Sequence, residues 1–339
     1  MGAERKKTGG GAGSAVRGAA AALAVTGLLF LLPGLLVPGP EAKGDGQSAV
    51  SGESAPSGTT AVPTGKRDGG RTVRLLKKDG TVEELTMADY LWGVVAAEMP
   101  AAFEEEALKA QACAARTYTV VRQASAHAAH PQADVCTDSG CCQAYVERQA
   151  AETRWGISAG TYSAKISQAV ADTDGLGILY QGAPIQAVFF SSAPGQTADA
   201  VAVWGSQVDY LKSVSSPERD EVPNYRSQVV LTAEEVRSRV LAAYPGADLS
   251  GDPSGWFGPA DRDAGGTVRS IPLGGVTLTG SQVRGLFSLR SAAFTVSWDG
   301  SKFTFSVTGY GHGVGMSQYG ANALAKEGKG FREILTWYY

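Results

Sequence analysis

The sequence has no excess of positive charge. It contains 30 lysine and arginine residues against 33 aspartate and glutamate residues, a formal net charge of -3 over 339 residues. No stretch interleaves basic and aromatic side chains, which is the pattern that a nucleic-acid-binding surface presents. We therefore expect no nucleic acid among the partners of this protein.

Internal repeats and a nucleotide-binding loop are also absent. The glycine-rich stretch GYGHGVGMSQ, residues 309–318, follows a predicted strand and precedes a predicted helix. It matches neither the P-loop nor the dinucleotide fingerprint, and it lacks their strand–helix–strand context. The sequence thus indicates no organic cofactor.

The first 71 residues do not have the composition of a folded domain. Basic residues precede an apolar run over 19–39, which is long enough to cross a bilayer as a helix. Basic residues on this side favour a cytoplasmic N-terminus, residues 1–18. The sequence predicts a single-pass anchor in the cell membrane, with a cleaved signal peptide as the alternative. Residues 40–71 are rich in Gly, Ser, Thr, Ala and Pro and predict a flexible extracytoplasmic linker.

The folded part is predicted over 72–339, as one α+β domain with helices packed on mostly antiparallel strands. Alternating residues flank two turn dipeptides, which is typical of hairpins. The predicted elements are hairpins turning at Asp79–Gly80 and Asp299–Gly300, helices that begin at Met87 and Glu104, and a helix over 316–326.

Glu98 lies on the apolar face of the first predicted helix, three and four residues after Val95 and Val94. Burial disfavours an ionised carboxylate and raises its pKa. A carboxyl that stays protonated closer to neutral pH can act as a general acid in glycosidic cleavage. From the pattern alone, a structural role for Glu98 remains the alternative.

The strings VVAAEMP and EALKAQACAARTY resemble the signature of the stage II sporulation protein D family, and GHGVGMSQYGA resembles its C-terminal motif. GILYQGAPIQAVFFSSAPGQ and GVTLTGSQVRGLFSLR resemble sections between them, so that the resemblance covers most of residues 72–339. It implies a membrane-anchored lytic transglycosylase that cuts peptidoglycan during engulfment of the forespore. It also implies a substrate groove between the helices and the strands.

In such an enzyme one carboxyl, here Glu98, protonates the oxygen that leaves N-acetylmuramic acid and then deprotonates the C6 hydroxyl that closes a 1,6-anhydro ring. The resemblance implies glycan strands lacking stem peptides as substrate, with a cell-wall amidase and membrane proteins of the engulfment complex as partners. Amidase enhancers share this domain, so a non-catalytic module that binds glycan or a partner is the alternative.

Further residues are carried over by the resemblance. Arg116 is expected to face Glu98 and the substrate. Tyr210 and Lys212 alternate with a leucine as on a strand, so both are expected on one face. Ser192 in FFSSAPGQ is a candidate substrate contact, although Ser191 and Gln196 stand where the family pattern has histidine and glycine. His312 and Gln318 are expected on the groove wall, where each can bind sugar or steady Glu98.

A dense set of metal-binding residue types, His130, Cys136, Cys141 and Cys142, follows the second predicted helix. Some members of the family bind zinc here through two histidines and two cysteines, and Cys141 stands where the second histidine would be. One imidazole and three thiolates suit structural zinc. A disulfide from Cys136 to Cys141 or Cys142 is the alternative, because the domain is expected outside the cytoplasm.

Overall fold

A computed structural model describes residues 60–63, 68–125 and 128–339. The predicted segments 1–18 and 19–39 lie outside the described residues, as does most of the predicted linker. Within the described ranges, no helix combines the length and apolarity that a bilayer crossing needs.

The described chain alternates short strands and helices, which confirms the α+β prediction. The helices are α1 (Met87–Glu98), α2 (Glu105–Ala124), α3 (Arg148–Trp155), α4 (Ala159–Asp172), α5 (Ala200–Trp204), α6 (Ala233–Ala243), α7 (Gly280–Phe287), α8 (Gln318–Lys326) and α9 (Phe331–Tyr338). The strands are β1 (Thr60–Pro63), β2 (Thr72–Leu76), β3 (Val82–Thr86), β4 (Val135–Cys136), β5 (Leu176–Tyr180), β6 (Ala183–Pro184), β7 (Phe189–Phe190), β8 (Arg226–Thr232), β9 (Asp261–Arg262), β10 (Val268–Leu273), β11 (Val276–Thr279), β12 (Phe294–Trp298), β13 (Lys302–Thr308) and β14 (Met316–Ser317).

These strands form small sheets in the orders β3-β2-β4, β1-β5-β6, β7-β14, β8-β13-β12 and β9-β10-β11. The β2–β4 and β7–β14 pairs are parallel and the other described pairs are antiparallel, as predicted. Both predicted hairpins are present, β2–β3 around Asp79–Gly80 and β12–β13 around Asp299–Gly300.

The core consists of two hydrophobic clusters. One surrounds α1 and α2 and takes in α8 and α9. The other lies within residues 226–308, where α6 and α7 pack on β10, β12 and β13. The chain enters the second cluster after Tyr225 and returns at Gly309, whose amide donates to the Tyr225 carbonyl at 2.8 Å. The parallel β7–β14 pair then brings residues 189–190 beside 316–317.

Helix α1 begins and ends where local chemistry dictates. Thr86 caps it, since its hydroxyl accepts a hydrogen bond from the Asp89 amide at 3.1 Å. The apolar side chains Val94 and Val95 are fully buried. The helix stops at Glu98 because Met99, the residue before a proline, is extended. Glu98 is therefore the last residue of a largely buried helix.

A buried ion pair ties the start of the domain to α2. Arg116 is 0% and Asp68 2% exposed, and the guanidinium donates to both carboxylate oxygens at 2.7–3.0 Å. A further bond runs to the Leu176 carbonyl at 2.8 Å. This burial corrects the expectation that Arg116 contacts substrate. It also places Asp68, inside the predicted linker, within the folded domain.

We expect Arg116→Ala to lower the free energy of unfolding by about 3–5 kcal/mol, because the Asp68 carboxylate would remain buried without its partner. Urea unfolding of the folded domain, with Asp68 included, measures this loss. Arg74→Ala is the matched control. Its ion pair with Asp134 involves an arginine that is 51% exposed, so the cost should be no more than about 1 kcal/mol. Unchanged stability with weakened glycan binding would instead support a substrate contact.

Candidate functional site

A groove of about 370 Å³ opens beside the C-terminal end of α1. This volume suits a small ligand or one part of a polymer. Its walls come from the ends of α1 and α3, the residue after β7 and the start of α8. The lining residues are Ala96, Ala97, Glu98, Met99, Pro100, Ala101, Arg154, Trp155, Ser191, Gln318 and Tyr319.

The Glu98 carboxyl is largely withdrawn from water but still lines this groove. One oxygen accepts a hydrogen bond from the Ala144 amide at 2.7 Å, and the other accepts one from Gln318 Nε2 at 3.2 Å. Burial raises the pKa of Glu98 above its ordinary value, and the two hydrogen bonds oppose this effect. The result is a carboxyl suited to hold and exchange a proton at the groove.

The segment that carries Ala144 is fixed by its neighbours. Gln143 is 2% exposed and donates to Tyr90 Oη and Thr119 Oγ1, both at 3.2 Å, on α1 and α2. A Cβ at Gly93 would lie 2.3 Å from the Tyr145 ring, so a glycine is required for this close approach. These contacts place the Ala144 amide against Glu98, a role that the sequence analysis missed.

Gln318 reaches Glu98 because it is the first residue of α8. Ser317 caps this helix and accepts a hydrogen bond from the Gly320 amide at 3.2 Å. Gln318 itself is 5% exposed. Its contact with Glu98 is present, and the expected role of steadying this carboxyl stays a prediction.

His312 has a structural position and does not line the groove. Its Nε2 donates to the Phe189 carbonyl at 3.0 Å, and its Nδ1 accepts from the Val314 amide at 3.2 Å. The imidazole packs against the rings of Phe190 and Trp204. Desolvation lowers the pKa of His312 to about 4, so the ring is neutral. In place of the expected contact with sugar or Glu98, the bond from His312 to the Phe189 carbonyl holds the glycine-rich loop on β7.

The glycines around His312 are explained by close packing. Gly311 has φ 121° and Gly315 has φ 75°, where only glycine is unstrained. A Cβ at Gly311 would lie 2.6 Å from Phe190 Cβ, and one at Gly315 would lie 2.2 Å from the Val188 carbonyl oxygen. The loop therefore lies directly on the chain around β7.

The serine that lines the groove is Ser191 and not the predicted Ser192. Ser192 is 2% exposed, and its hydroxyl has no hydrogen-bond partner among the described residues. Its backbone pairs with Tyr310. Successive side chains point in opposite directions in this segment, so Ser191 faces the groove and Ser192 faces the interior.

Tyr210 and Lys212 do not lie on a strand, which corrects the sequence prediction. Leu211 is buried within an irregular segment, where its amide bonds to the Val208 carbonyl in a turn. Tyr210 Oη accepts a hydrogen bond from the Gln186 amide at 3.1 Å. Neither Tyr210 nor Lys212 is among the residues that line the groove. Alternation over three residues occurs in loops as well as in strands.

Three groove residues were missed by the sequence analysis. Arg154 is exposed and donates to the Ala96 carbonyl at 3.3 Å, which brings a cation to the lining of the groove. Trp155 from α3 and Tyr319 from α8 add aromatic surface to the lining. No local pattern distinguishes these residues, because α3 and α8 meet at the groove only in the tertiary structure.

His130, Cys136, Cys141 and Cys142 form a cluster that could hold a metal ion. Their four ligand atoms lie within 4.8 Å of one another. His130 is 2% exposed, and its Nδ1 donates to the Ala133 carbonyl at 3.2 Å, which directs Nε2 towards Cys142 Sγ. All four cysteines of the chain are free. The donor set and the second-sphere bond to His130 fit a tetrahedral metal site.

We expect Glu98→Gln to stabilise the folded protein near neutral pH. The folded-state pKa of Glu98 is raised, so the protonated form is favoured, and stability declines as pH rises from the unfolded pKa through the folded pKa. Glutamine has nearly the same shape as glutamate and does not ionise, so stability no longer declines with pH at this position. Urea unfolding should show no gain at low pH and a growing gain as pH rises. Glu84→Gln, at an exposed position of β3, should lack this pattern, and a pH-independent gain at Glu98 would contradict the explanation.

Comparison with known proteins extends these observations. A family profile described as Stage II sporulation protein matches residues 77–180. The chain is 40% identical over 260 residues to stage II sporulation protein D of Bacillus subtilis (strain 168), which covers 76% of this chain and 74% of that protein. The protein of the same name from Bacillus amyloliquefaciens is 37% identical over 260 residues, with the same coverage.

A more distant relative is the amidase enhancer of Bacillus subtilis (strain 168), 27% identical over 299 residues that represent 74% of this chain and 39% of the enhancer. The profile match includes Glu98, Ala144 and the four residues of the metal cluster. The two sporulation proteins match about three quarters of the chain at substantial identity. This protein belongs to the stage II sporulation protein D family.

Proposed function

We propose that this sporulation protein is a peptidoglycan lytic transglycosylase in which Glu98 acts first as acid and then as base. The observation that carries the proposal is the desolvated Glu98 carboxyl, held by Ala144 and Gln318 at an open groove. A raised pKa keeps the proton available for the glycosidic oxygen that leaves N-acetylmuramic acid.

The same two hydrogen bonds suit the second half of the reaction. Once Glu98 has given up its proton, the Ala144 amide and Gln318 stabilise the carboxylate. The carboxylate then takes the proton of the C6 hydroxyl as that oxygen bonds to C1 and closes the 1,6-anhydro ring. Among the described lining residues Glu98 is the one acid, whereas glycoside hydrolases use two carboxyls.

The other groove residues suit a glycan lacking stem peptides. Trp155 and Tyr319 offer apolar faces to sugar rings, and Arg154 offers a positive charge. Removal of a stem peptide leaves a free carboxylate on the lactyl group of muramic acid, which an arginine can bind through paired hydrogen bonds. An amidase that exposes this carboxylate would be the natural partner.

The proposed setting is forespore engulfment at the cell membrane, with the domain outside the cytoplasm and with membrane proteins of the engulfment complex as partners. The names of the two sporulation relatives support the process. The relative named amidase enhancer favours a second candidate function, a module that binds glycan or amidase without cutting. The geometry of Glu98 favours the enzyme.

We expect the soluble domain to convert purified glycan strands without stem peptides into fragments with 1,6-anhydro-muramic ends. Mass analysis of the products tests this. Glu98→Gln should lose at least about 100-fold in rate, because a positioned general acid contributes a factor of this order, whereas Glu84→Gln should retain activity. Reducing ends would show hydrolysis, and binding without any product would support the non-cutting module.

We further propose that His130, Cys136, Cys141 and Cys142 bind structural zinc. Four protein ligands complete a tetrahedral site and leave no position for substrate. Cys142 lies two residues before Ala144, so the metal would also restrain the segment whose amide bonds to Glu98. A disulfide between two of the cysteines is the alternative.

We expect the purified domain to contain about one zinc ion per chain, as a single four-ligand site implies. Elemental analysis with thiol counting under denaturing conditions measures it. Cys136→Ser should lose the metal, whereas Cys113→Ala, which alters a buried cysteine outside the cluster, should retain it. A metal-free domain with two fewer free thiols would establish the disulfide.

A further inference from the structure

A second buried glutamate lies behind the groove. Glu218 is 0% exposed. One of its oxygens accepts hydrogen bonds from the Ala193 amide at 2.6 Å and from the Ser317 hydroxyl. The other accepts from the Ser216 hydroxyl at 2.6 Å. One amide and two hydroxyls thus converge on a carboxylate that solvent does not reach.

The Glu218 network is closely packed against α8. The Ser216 hydroxyl also bonds to Tyr338 Oη at 2.7 Å, which brings in α9. A Cβ at Gly320 would lie 2.1 Å from Tyr338 Oη, 2.3 Å from Ser216 Oγ and 2.7 Å from Glu218 Oε2. The first turn of α8 therefore rests directly on the network, and no larger residue than glycine fits between them.

Glu218 joins the two chain segments that supply one side of the groove. Through Ala193 it holds the chain just after β7, which carries Ser191. Through Ser317, the cap of α8, it holds the residue immediately before Gln318. These segments are already paired as parallel strands, β7 with β14, and Glu218 fastens them where both strands end. The Tyr319 amide adds a bond to the Ser191 carbonyl at 3.0 Å.

We infer that Glu218 is a positioning residue: it fixes the start of α8 so that Gln318 bonds to Glu98. Glu218 does not line the groove and touches neither Glu98 nor Gln318 through any described bond. It acts through Ser317 and Ala193. The effect of Glu218 on catalysis rests on the proposed function, whereas its effect on the hydrogen bond between Gln318 and Glu98 does not.

The variants Glu218→Met and Glu218→Gln separate this role from simple packing. Methionine fills a similar volume and accepts no strong hydrogen bond, so Ala193 and Ser317 lose their shared acceptor. Glutamine keeps an acceptor oxygen for both. Its amide group can donate to Ser216, whose hydroxyl can then donate to Tyr338, since either atom of that pair can be the donor. We expect Glu218→Gln to rescue what Glu218→Met loses.

The expected readout is the pH dependence of glycan cleavage. The Gln318 hydrogen bond lowers the pKa of Glu98, so its loss in Glu218→Met raises that pKa and moves the alkaline limb of kcat/KM to higher pH. We also expect kcat/KM to fall by roughly 10- to 100-fold, the scale of a misplaced catalytic group. The pKa of Tyr319, another ionisable lining residue, is raised by burial, so this tyrosine does not account for the limb.

The Gln318→Ala background provides the decisive control. If Glu218 acts through Gln318, then Glu218→Met shifts the alkaline limb in the wild-type background and does not shift it further in Gln318→Ala. A purely structural role would lower activity equally at all pH values by reducing the folded fraction. That result, or an undiminished shift in Gln318→Ala, would overturn the inference.

Titration of the Glu98 side-chain carboxyl by carbon NMR tests the geometry without any substrate. The midpoint should rise in Glu218→Met and stay at the wild-type value in Glu218→Gln. If the wild-type domain cuts no glycan, the proposed function fails while this titration still decides the positioning role. An unchanged midpoint in a folded Glu218→Met domain would refute that role even if the wild-type domain is active.

Discussion

The arrangement of the site depends on one carboxyl, that of Glu98, which is largely buried and bonded only to neutral donors. Glu98 receives hydrogen bonds from the Ala144 amide and Gln318. Neutral donors compensate desolvation less fully than a cation does, so the proton is held more tightly. This balance survives only if both donors stay in place, since a shift of either would change the proton affinity of Glu98.

Three buried or largely buried acidic side chains have different hydrogen-bond partners, and the partners match the position of each acid in the fold. Asp68 is neutralised by Arg116 and ties the start of the domain to α2. Glu218 is surrounded by an amide and two hydroxyls and clamps the start of α8. Glu98 has two neutral donors and an open side. The first two acids are enclosed by structure, and the third is left accessible to a ligand.

Features that depend on residues close in the chain could be predicted from the sequence: Glu98 on an apolar helix face, the turn dipeptides and the His130–Cys142 cluster. Predictions were wrong where the partner of a side chain lies far away in the sequence. Arg116 lies on a helix beside α1, but its guanidinium bonds to Asp68, which the composition had assigned to a linker. His312 bonds to the chain around β7, more than 100 residues earlier.

The family, the α+β class, the position of Glu98 on an apolar helix face and the cluster of one histidine and three cysteines follow from the sequence alone, because motif strings and side-chain periodicity are properties of short segments. Which side chains face Glu98 depends on the tertiary structure. The parallel β7–β14 pair and the packing of α8 brought Ser191, Gln318 and Tyr319 to the groove, while Ser192 turned inwards. A one-residue shift reverses the direction of a side chain in an extended segment, and no local pattern specifies that register.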